Sequence, residues 1–479
     1  MLSQKGNDII VIRSPALYII ICLLMSCLSG CASYVAKPLS PSQTASFIEA
    51  RTLDNPGIKR FLEENQKHEI APWPPRSWDF STLTLVALYY HPDLGMARAK
   101  WDTAQAGIIT AGQRPNPSIA FRPQYDVTPY SGVVPWILDF SLDVPIETAG
   151  KRKYRIAQAR LLSESARLNV RTVAWQVRSR LRTSLLNLFA ADVSITLLER
   201  QVDIQEELTT LMEKRLKGGE VSVPDVTQAR ISLDQARLSL SEARKKSAEA
   251  RAQVGDALGV TLNALDGIDI SLDFFENPFH KIPPADFRRN ALLNRPDILG
   301  ALADYAASES ALRIEIAKQY PDLNISPGYL FEEGENKWGL GISLTLPVLN
   351  QNQGPIAEAK ARRQEAESRF LSVQALVIGD INRSIAGYDG ALKKLEEADR
   401  LVSEKESQQH SIWRMFNVGE TDRFVLLSGE FELLSIKVSR LDTLVQVQQS
   451  LGLVEDSLQY PLDPSGSNPV VPEEKLRHE

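Results

Sequence analysis

Catalysis leaves groups that converge, and this chain offers little to converge. The five histidines, His68, His91, His280, His410 and His478, are scattered over 479 residues and lack the spacing that places two ligands on one helix face for a metal. Gly150-Lys151-Arg152 lacks the earlier glycine of a phosphate-binding loop, and Gly339-Leu340-Gly341 lies inside an alternating, strand-like run, so neither reads as a nucleotide site. A hydrolase would need a defined catalytic cluster that these residues do not provide. The reading is therefore a protein with no catalytic residues, no metal ligands and no cofactor.

The residue with the clearest chemical prospect is a cysteine. Lys5 and Arg13 precede an apolar run from Pro15 to Cys27, the layout of a secretory signal peptide, and the run is shorter than the roughly 20 residues a membrane-spanning helix needs. Leu28-Ser29-Gly30-Cys31 follows and resembles the bacterial lipobox, in which cleavage before the cysteine leaves a thiol carrying diacylglycerol. Cys22 and Cys27 would leave with the peptide and Cys31 would be acylated, so the mature chain would hold no disulfide and no metal thiolate. Ala32 follows the cysteine where an aspartate would favour inner-membrane retention, which directs the expectation to the outer membrane. Hydrophobic residues at 43% and charged residues at 24% fit a folded body and are too polar for a bundle of membrane helices. The net charge of −6, with acids and bases interleaved, leaves no basic face for nucleic acid.

The chain repeats itself. A shift of 204 lays His91-Pro92-Asp93-Leu94 on Arg295-Pro296-Asp297-Ile298, and also matches Trp101 to Tyr305, Pro117 to Pro321, Pro123 to Pro327 and Tyr125 to Tyr329. A shift of 202 matches Trp136 to Trp338, Ser141 to Ser343 and Pro145 to Pro347; a shift of 200 matches Ile156-Ala157 to Ile356-Ala357 and Gly219-Glu220 to Gly419-Glu420. A period of this length is far beyond that of solenoid repeats, so each copy is a half-domain. The resulting divisions are a signal peptide over 1–30, an N-terminal anchor segment over 31–79, a first repeat over 80–259, a linker over 260–284, a second repeat over 285–460 and a tail over 461–479.

Each copy switches period. In the first, every second residue from Trp136 to Ile146 is apolar; in the second, Trp338, Leu340, Ile342, Leu344, Leu346 and Val348 alternate with Gly339, Gly341, Ser343, Thr345 and Pro347. Earlier alternating runs, Ile119 to Tyr125 and Leu323 to Phe331, complete two hairpins at about 117–147 and 321–349. Strands of about ten residues with an apolar face, a polar or glycine face and aromatics near the ends suit a lipid-facing barrel wall. Four strands cannot close a barrel, and open edges are intolerable in hydrocarbon, so the barrel must be shared between subunits; two copies would give eight strands and three would give twelve.

The rest reads as very long helices over 150–217, 224–259, 355–417 and 422–458, the longest on the order of 100 Å. Ala229, Leu233, Ala236, Leu240, Ala243, Ser247, Ala250, Val254 and Ala257 follow coiled-coil steps, as do Leu427, Phe431, Leu434, Val438, Leu441 and Val445. A further line at Leu426, Leu433, Leu444, Val447, Leu451, Val454 and Leu458 gives the last helix a second contact face, which suits a ring of helices.

From about Phe80 to Tyr460 these features together resemble a TolC-type outer-membrane factor: the lipobox, the duplicated His/Arg-Pro-Asp openings, Gly112 to Pro117 before the first strand, Pro145 to Arg152 at the end of the first hairpin, and the paired turns at Gly219 and Gly419. Asn116-Pro117 and Glu147 to Arg152 most resemble the CzcC-like branch. The resemblance implies an α+β fold in which a homotrimer shares one transmembrane β-barrel, four strands per subunit, above a long α-helical barrel. It implies a passive, gated duct in outer-membrane lipid, fed by a periplasmic adaptor and an inner-membrane transporter of the RND type. It makes Gly218, Gly219, Glu220 and Val221, and Val418, Gly419, Glu420 and Thr421, the tips that meet the adaptor. An acidic constriction would fall to Glu420, Asp422 or Glu430, because Val425 and Ser428 stand where aspartates are expected; Asp422 is the preferred gate residue, with Arg423 and Asp225 as pairing partners. A coiled-coil scaffold or adaptor lipoprotein is the rival reading and would not need the two hairpins; the exit duct of a type I secretion system would share them.

Overall fold

In a computed structural model, residues 32–278 and 284–462 are described. A short N-terminal unit ends at Ala50 and carries the helix α1, Pro41–Glu49. The remaining residues form the body of the chain.

The body begins with α2 (Pro56–Gln66), α3 (Phe80–Tyr90) and α4 (Pro92–Gly112). The hairpin β1 (Ser118–Tyr125) and β2 (Trp136–Ile146) leads into α5 (Lys151–Lys217), which turns into α6 (Val223–Leu258). The second copy repeats the order: α7 (Pro284–Asn294), α8 (Pro296–Ala317), β3 (Leu323–Glu332), β4 (Glu335–Leu344), α9 (Gln353–Asn417) and α10 (Arg423–Leu458). The four long helices fall within two residues of the spans read from the sequence.

The two hairpins join into one antiparallel sheet in the order β1-β2-β3-β4. Phe121 stands opposite Phe140, Phe140 opposite Tyr329, and Tyr329 opposite Trp338, so most apolar residues of the four strands share one face, Ile137 and Leu330 being exceptions. Tyr125 packs on Trp136 and Tyr329 on Trp338, with ring centroids 5.1 and 5.0 Å apart, at the same end of the sheet. Arg122, Asp139, Asp143, Ser326 and Lys337 lie on the other face, where Ser326 donates to Asp143 and Lys337 pairs with Glu332. The alternation expected through Val348 stops earlier as a strand, at Leu344. Its counterpart β2 reaches Ile146 because Val144 to Ile146 are held by Leu323 to Ile325, whereas no described strand lies on that edge of β4.

Each long hairpin packs along its predicted seam: Leu233, Ala236, Leu240, Ala243, Ala250, Val254 and Ala257 of α6 are buried against α5. α10 is covered on two sides, by α9 and by α5, as its second apolar line requires, and Leu426, Leu444, Val447, Leu451, Val454 and Leu458 are buried. α5 contains a stretch long and apolar enough to cross a membrane, but α4, α6, α8 and α10 all pack on it, so it is a core helix.

The anchor segment and the linker both contribute to the core. Leu53, Ile58, Leu62 and Trp78, placed in the anchor segment, are buried with Leu83 and Val86; Leu265 and Phe275 of the linker join them. Trp78 donates its N–H to Asp269 and accepts from Ser271, so these two non-repeated stretches bind each other. The compact unit starts at Arg51, ahead of the boundary at Phe80, because the apolar spacing of 53–62 is too short to stand out without the partners it meets.

Candidate functional site

The two helix reversals are built alike. α5 ends with Gly219 at φ 78°, and Glu220 N–H and Gly219 N–H bond the carbonyls of Arg215 and Leu216. α9 ends with Gly419 at φ 79°, with Glu420 and Gly419 bonding Met415 and Phe416. This left-handed cap satisfies the last carbonyls of the helix, and glycine is the residue that adopts it without strain. Gly218, Glu220, Val418 and Glu420 are exposed, and Val221 and Thr421 half-buried.

The charged residues around these turns pair differently from the sequence expectation. Asp422 caps α10, accepting from Val425 N–H at 2.9 Å, and its other oxygen binds Arg215 of α5. Arg423 turns away to Glu207 at 2.7 Å, and Asp225 accepts from the N–H and hydroxyl of Ser222 at 2.9 and 2.6 Å. Neither Arg423 nor Asp225 is therefore the partner of Asp422: Arg423 reaches Glu207 across on α5, and Asp225 bonds Ser222 at the start of its own helix. Glu430 pairs with Arg200 at 2.7 Å, so three ion pairs link α5 to α10 near the reversals, with Ile204, Leu208 and Leu427 packed beneath them.

Arg215 was not singled out in the sequence. Its signal was present: Arg200, Glu207 and Arg215 recur at steps of seven and eight, one line on a helix, opposite Glu430, Arg423 and Asp422 on an antiparallel neighbour.

The Val425 N–H, followed by the Arg215 guanidinium, holds the Asp422 carboxyl below its usual range. The lowered value means that the stabilisation is present above the unfolded carboxylate pKa and is lost as pH falls through the lower folded one. At neutral pH the link is fully formed. Asp422→Ala is expected to cost about 1–2 kcal/mol locally by removing a helix cap, seen as faster amide exchange at Val425. Asp422→Asn keeps a capping oxygen and is expected to cost less than about 1 kcal/mol, the worth of a half-exposed ion pair.

Cys31 lies outside the described residues. The sheet is the second part of the site: mostly apolar on one face, mostly polar on the other, with β1 and β4 at its edges. Such a wall and such a helix bundle are the parts of a membrane duct.

Comparison with known proteins agrees. Residues 85–260 and 288–451 match the family model described as outer membrane efflux protein. The chain belongs to the outer membrane efflux protein family. Among curated relatives, the cobalt-zinc-cadmium resistance protein CzcC of Cupriavidus metallidurans is 25% identical over 58% of this chain and 65% of its own length. The pyoverdine export outer membrane protein OpmQ of Pseudomonas aeruginosa is 22% identical over 78% of this chain and 85% of its own. The crystal structure of the Campylobacter jejuni CmeC outer membrane channel superimposes with a TM-score of 0.67 at 16% identity, covering 93% of this chain and 99% of that one. The fold is thus the TolC-like one, and family and fold are those of channel proteins. The CzcC relative accords with the branch suggested by Asn116-Pro117 and Glu147 to Arg152.

Proposed function

We propose that this chain is the outer-membrane channel subunit of a tripartite export system. Three copies close one barrel of twelve strands in outer-membrane lipid, Cys31 carries the anchoring acyl chains, and the long helices line a periplasmic duct. The turns at Gly219 and Gly419 meet a periplasmic adaptor, and an inner-membrane transporter of the RND type supplies the energy. The observation that carries this reading is a sheet apolar on one face but for Asn336, largely polar or glycine on the other, and unpaired along β1 and β4 among the described residues. Hydrocarbon tolerates such edges only when another strand closes them. A scaffold of long helices would have no use for that sheet.

The relatives named above are described by cobalt-zinc-cadmium resistance and by pyoverdine export, and we infer that the transporter rather than this wall chooses the cargo. Asp422, tied to Arg215 and close to Glu420 in the chain, is the gate candidate that best fits the reversal, since three copies would bring three such carboxylates around one axis. Protein extracted from outer membranes is expected to run as a heat-modifiable trimer and to give single-channel conductance in planar bilayers. A monomer that releases from the membrane once its acyl chains are removed, and that conducts nothing, would overturn the proposal.

A further inference from the structure

The chain contains one complete contact between its two copies, and that contact specifies the surface by which it meets another copy of itself. Within the chain, β2 and α5 of the first copy pack on β3 and α8 of the second. The equivalent elements that face outward are β4 and α9 on one side, and β1 and α4 on the other.

The helices record the missing contact. Gly300, Ala303, Ala307, Ser310 and Ile314 form a line on α8 that is buried. Their counterparts in the first copy, Met96, Ala99, Thr103, Ala106 and Thr110, form the same line on α4, and all five are exposed, Met96 by 56%. A carbon added at Gly300 would lie 3.9 Å from Leu168 Cβ and 4.0 Å from Ser165. The counterparts of that trio are Met96, Ser368 and Glu365, and both residues on α9 are exposed. Leu168 over glycine inside the chain becomes Ser368 beside methionine outside it, a reversal of large and small at that pair, while Ser165 becomes the longer Glu365.

The strands record it too. Leu346 and Val348, the counterparts of Val144 and Ile146, are 67% and 75% exposed. Inside the chain Val144 stands opposite Ile325, Ile146 opposite Leu323 and Ser141 opposite Gly328. Carried through the repeat, 202 forward for β2 and 204 back for β3, this register sets Leu346 against Phe121, Val348 against Ile119 and Ser343 against Gln124 of the next copy. Every pair keeps the apolar residues on one face and the polar ones on the other, which a slip of one residue would reverse.

We infer that β4 of one copy, extended to Val348, pairs antiparallel with β1 of the next in this register, and that Ser368 of the same α9 seats against Met96 of the next α4. The inference rests on the oligomeric reading above and adds the residue map of its interface.

The mature chain carries only Cys31, so introduced cysteines report alone. The test is oxidative cross-linking in outer membranes of the double variants Gln124→Cys with Ser343→Cys, and Met96→Cys with Ser368→Cys. The control is Arg122→Cys with Ser343→Cys, on the same sheet face two residues out of register. Both test pairs are expected to give covalent oligomers at about tenfold the yield of the control, because a disulfide needs Cα atoms within about 7 Å. Linking of the control in preference to Gln124 with Ser343 overturns the register while leaving the assembly intact. Heat-modifiable trimers in which neither test pair links overturn the interface, and a chain monomeric in the membrane overturns the oligomeric reading itself.

Discussion

Replacing Glu455 with alanine is expected to destabilise the chain by about 3–5 kcal/mol, the cost of leaving a buried charge without its partner. Glu455 is 1% exposed and faces two guanidiniums, Arg178 at 3.0 Å and Arg182 at 3.5 Å, both nearly as buried. Its other oxygen accepts from Leu462 N–H at 2.9 Å. Arg182 also donates to the carbonyl and side-chain oxygens of Gln448 at 2.7 and 3.0 Å, while Gln448 donates to Phe275 of the linker at 2.9 Å. Next to it, Asp456 accepts from Trp175 and Ser179 at 2.8 and 2.7 Å, and Arg295 donates to the Asp456 carbonyl at 3.2 Å. One polar knot therefore ties α5, α10, the linker and the opening of the second copy. Burial pushes the Arg182 guanidinium down and Glu455 opposes the push, so removing the carboxylate leaves two desolvated cations facing one another. Glu432→Ala, which removes a 63% exposed carboxylate from Lys405, is the matched control and is expected to cost less than about 1 kcal/mol. Denaturant unfolding of the detergent-solubilised protein checks both. Equal losses would mean that the knot is not what joins the copies.

The sequence made the periodic parts legible. Long helices, amphipathic strands and the duplication are patterns within a single stretch, or between two stretches at a fixed offset, and the structure follows them closely. The glycine turns were legible as well, because a reversal between helices restricts the residue at positive φ. Contacts between one copy and the other were not. Arg178, Arg182 and Glu455 have Ile378, Asn382 and Gly255 as counterparts, so no internal alignment marks them, and their charges read as solvated stripes until α5 and α10 are brought together. The same limit misplaced the partner of Asp422: Arg423 and Asp225 are near in sequence or by analogy between turns, whereas Arg215 is near only because two antiparallel helices meet. The stop of β4 at Leu344 has a different origin, since a strand continues only while something holds its edge.

The largest contrast expected of the sheet is between neighbours in sequence. Phe140 and Ser141 are adjacent near the middle of β2 and point to opposite faces: Phe140 lies among Phe121 and Tyr329, and Ser141 is opposite Ala120 and Gly328. If the apolar face meets lipid, Phe140→Arg places a guanidinium near the bilayer midplane and is expected to cost about 2–4 kcal/mol. Ser141→Arg enters the polar interior beside Arg122, Asp139 and Asp143 and is expected to leave the fold within about 1 kcal/mol while changing the ion selectivity of the pore. The check is the fraction of heat-modifiable oligomer in outer membranes for the two variants, with conductance of whatever assembles. A soluble two-layer arrangement makes a different forecast. Its apolar face would be sealed by another sheet, so Phe140→Arg would clash inside a protein core and abolish folding rather than shift an insertion equilibrium, and Ser141→Arg would have no current to alter. The wall reading requires both results together, a graded loss of assembly from one face and altered selectivity from the other.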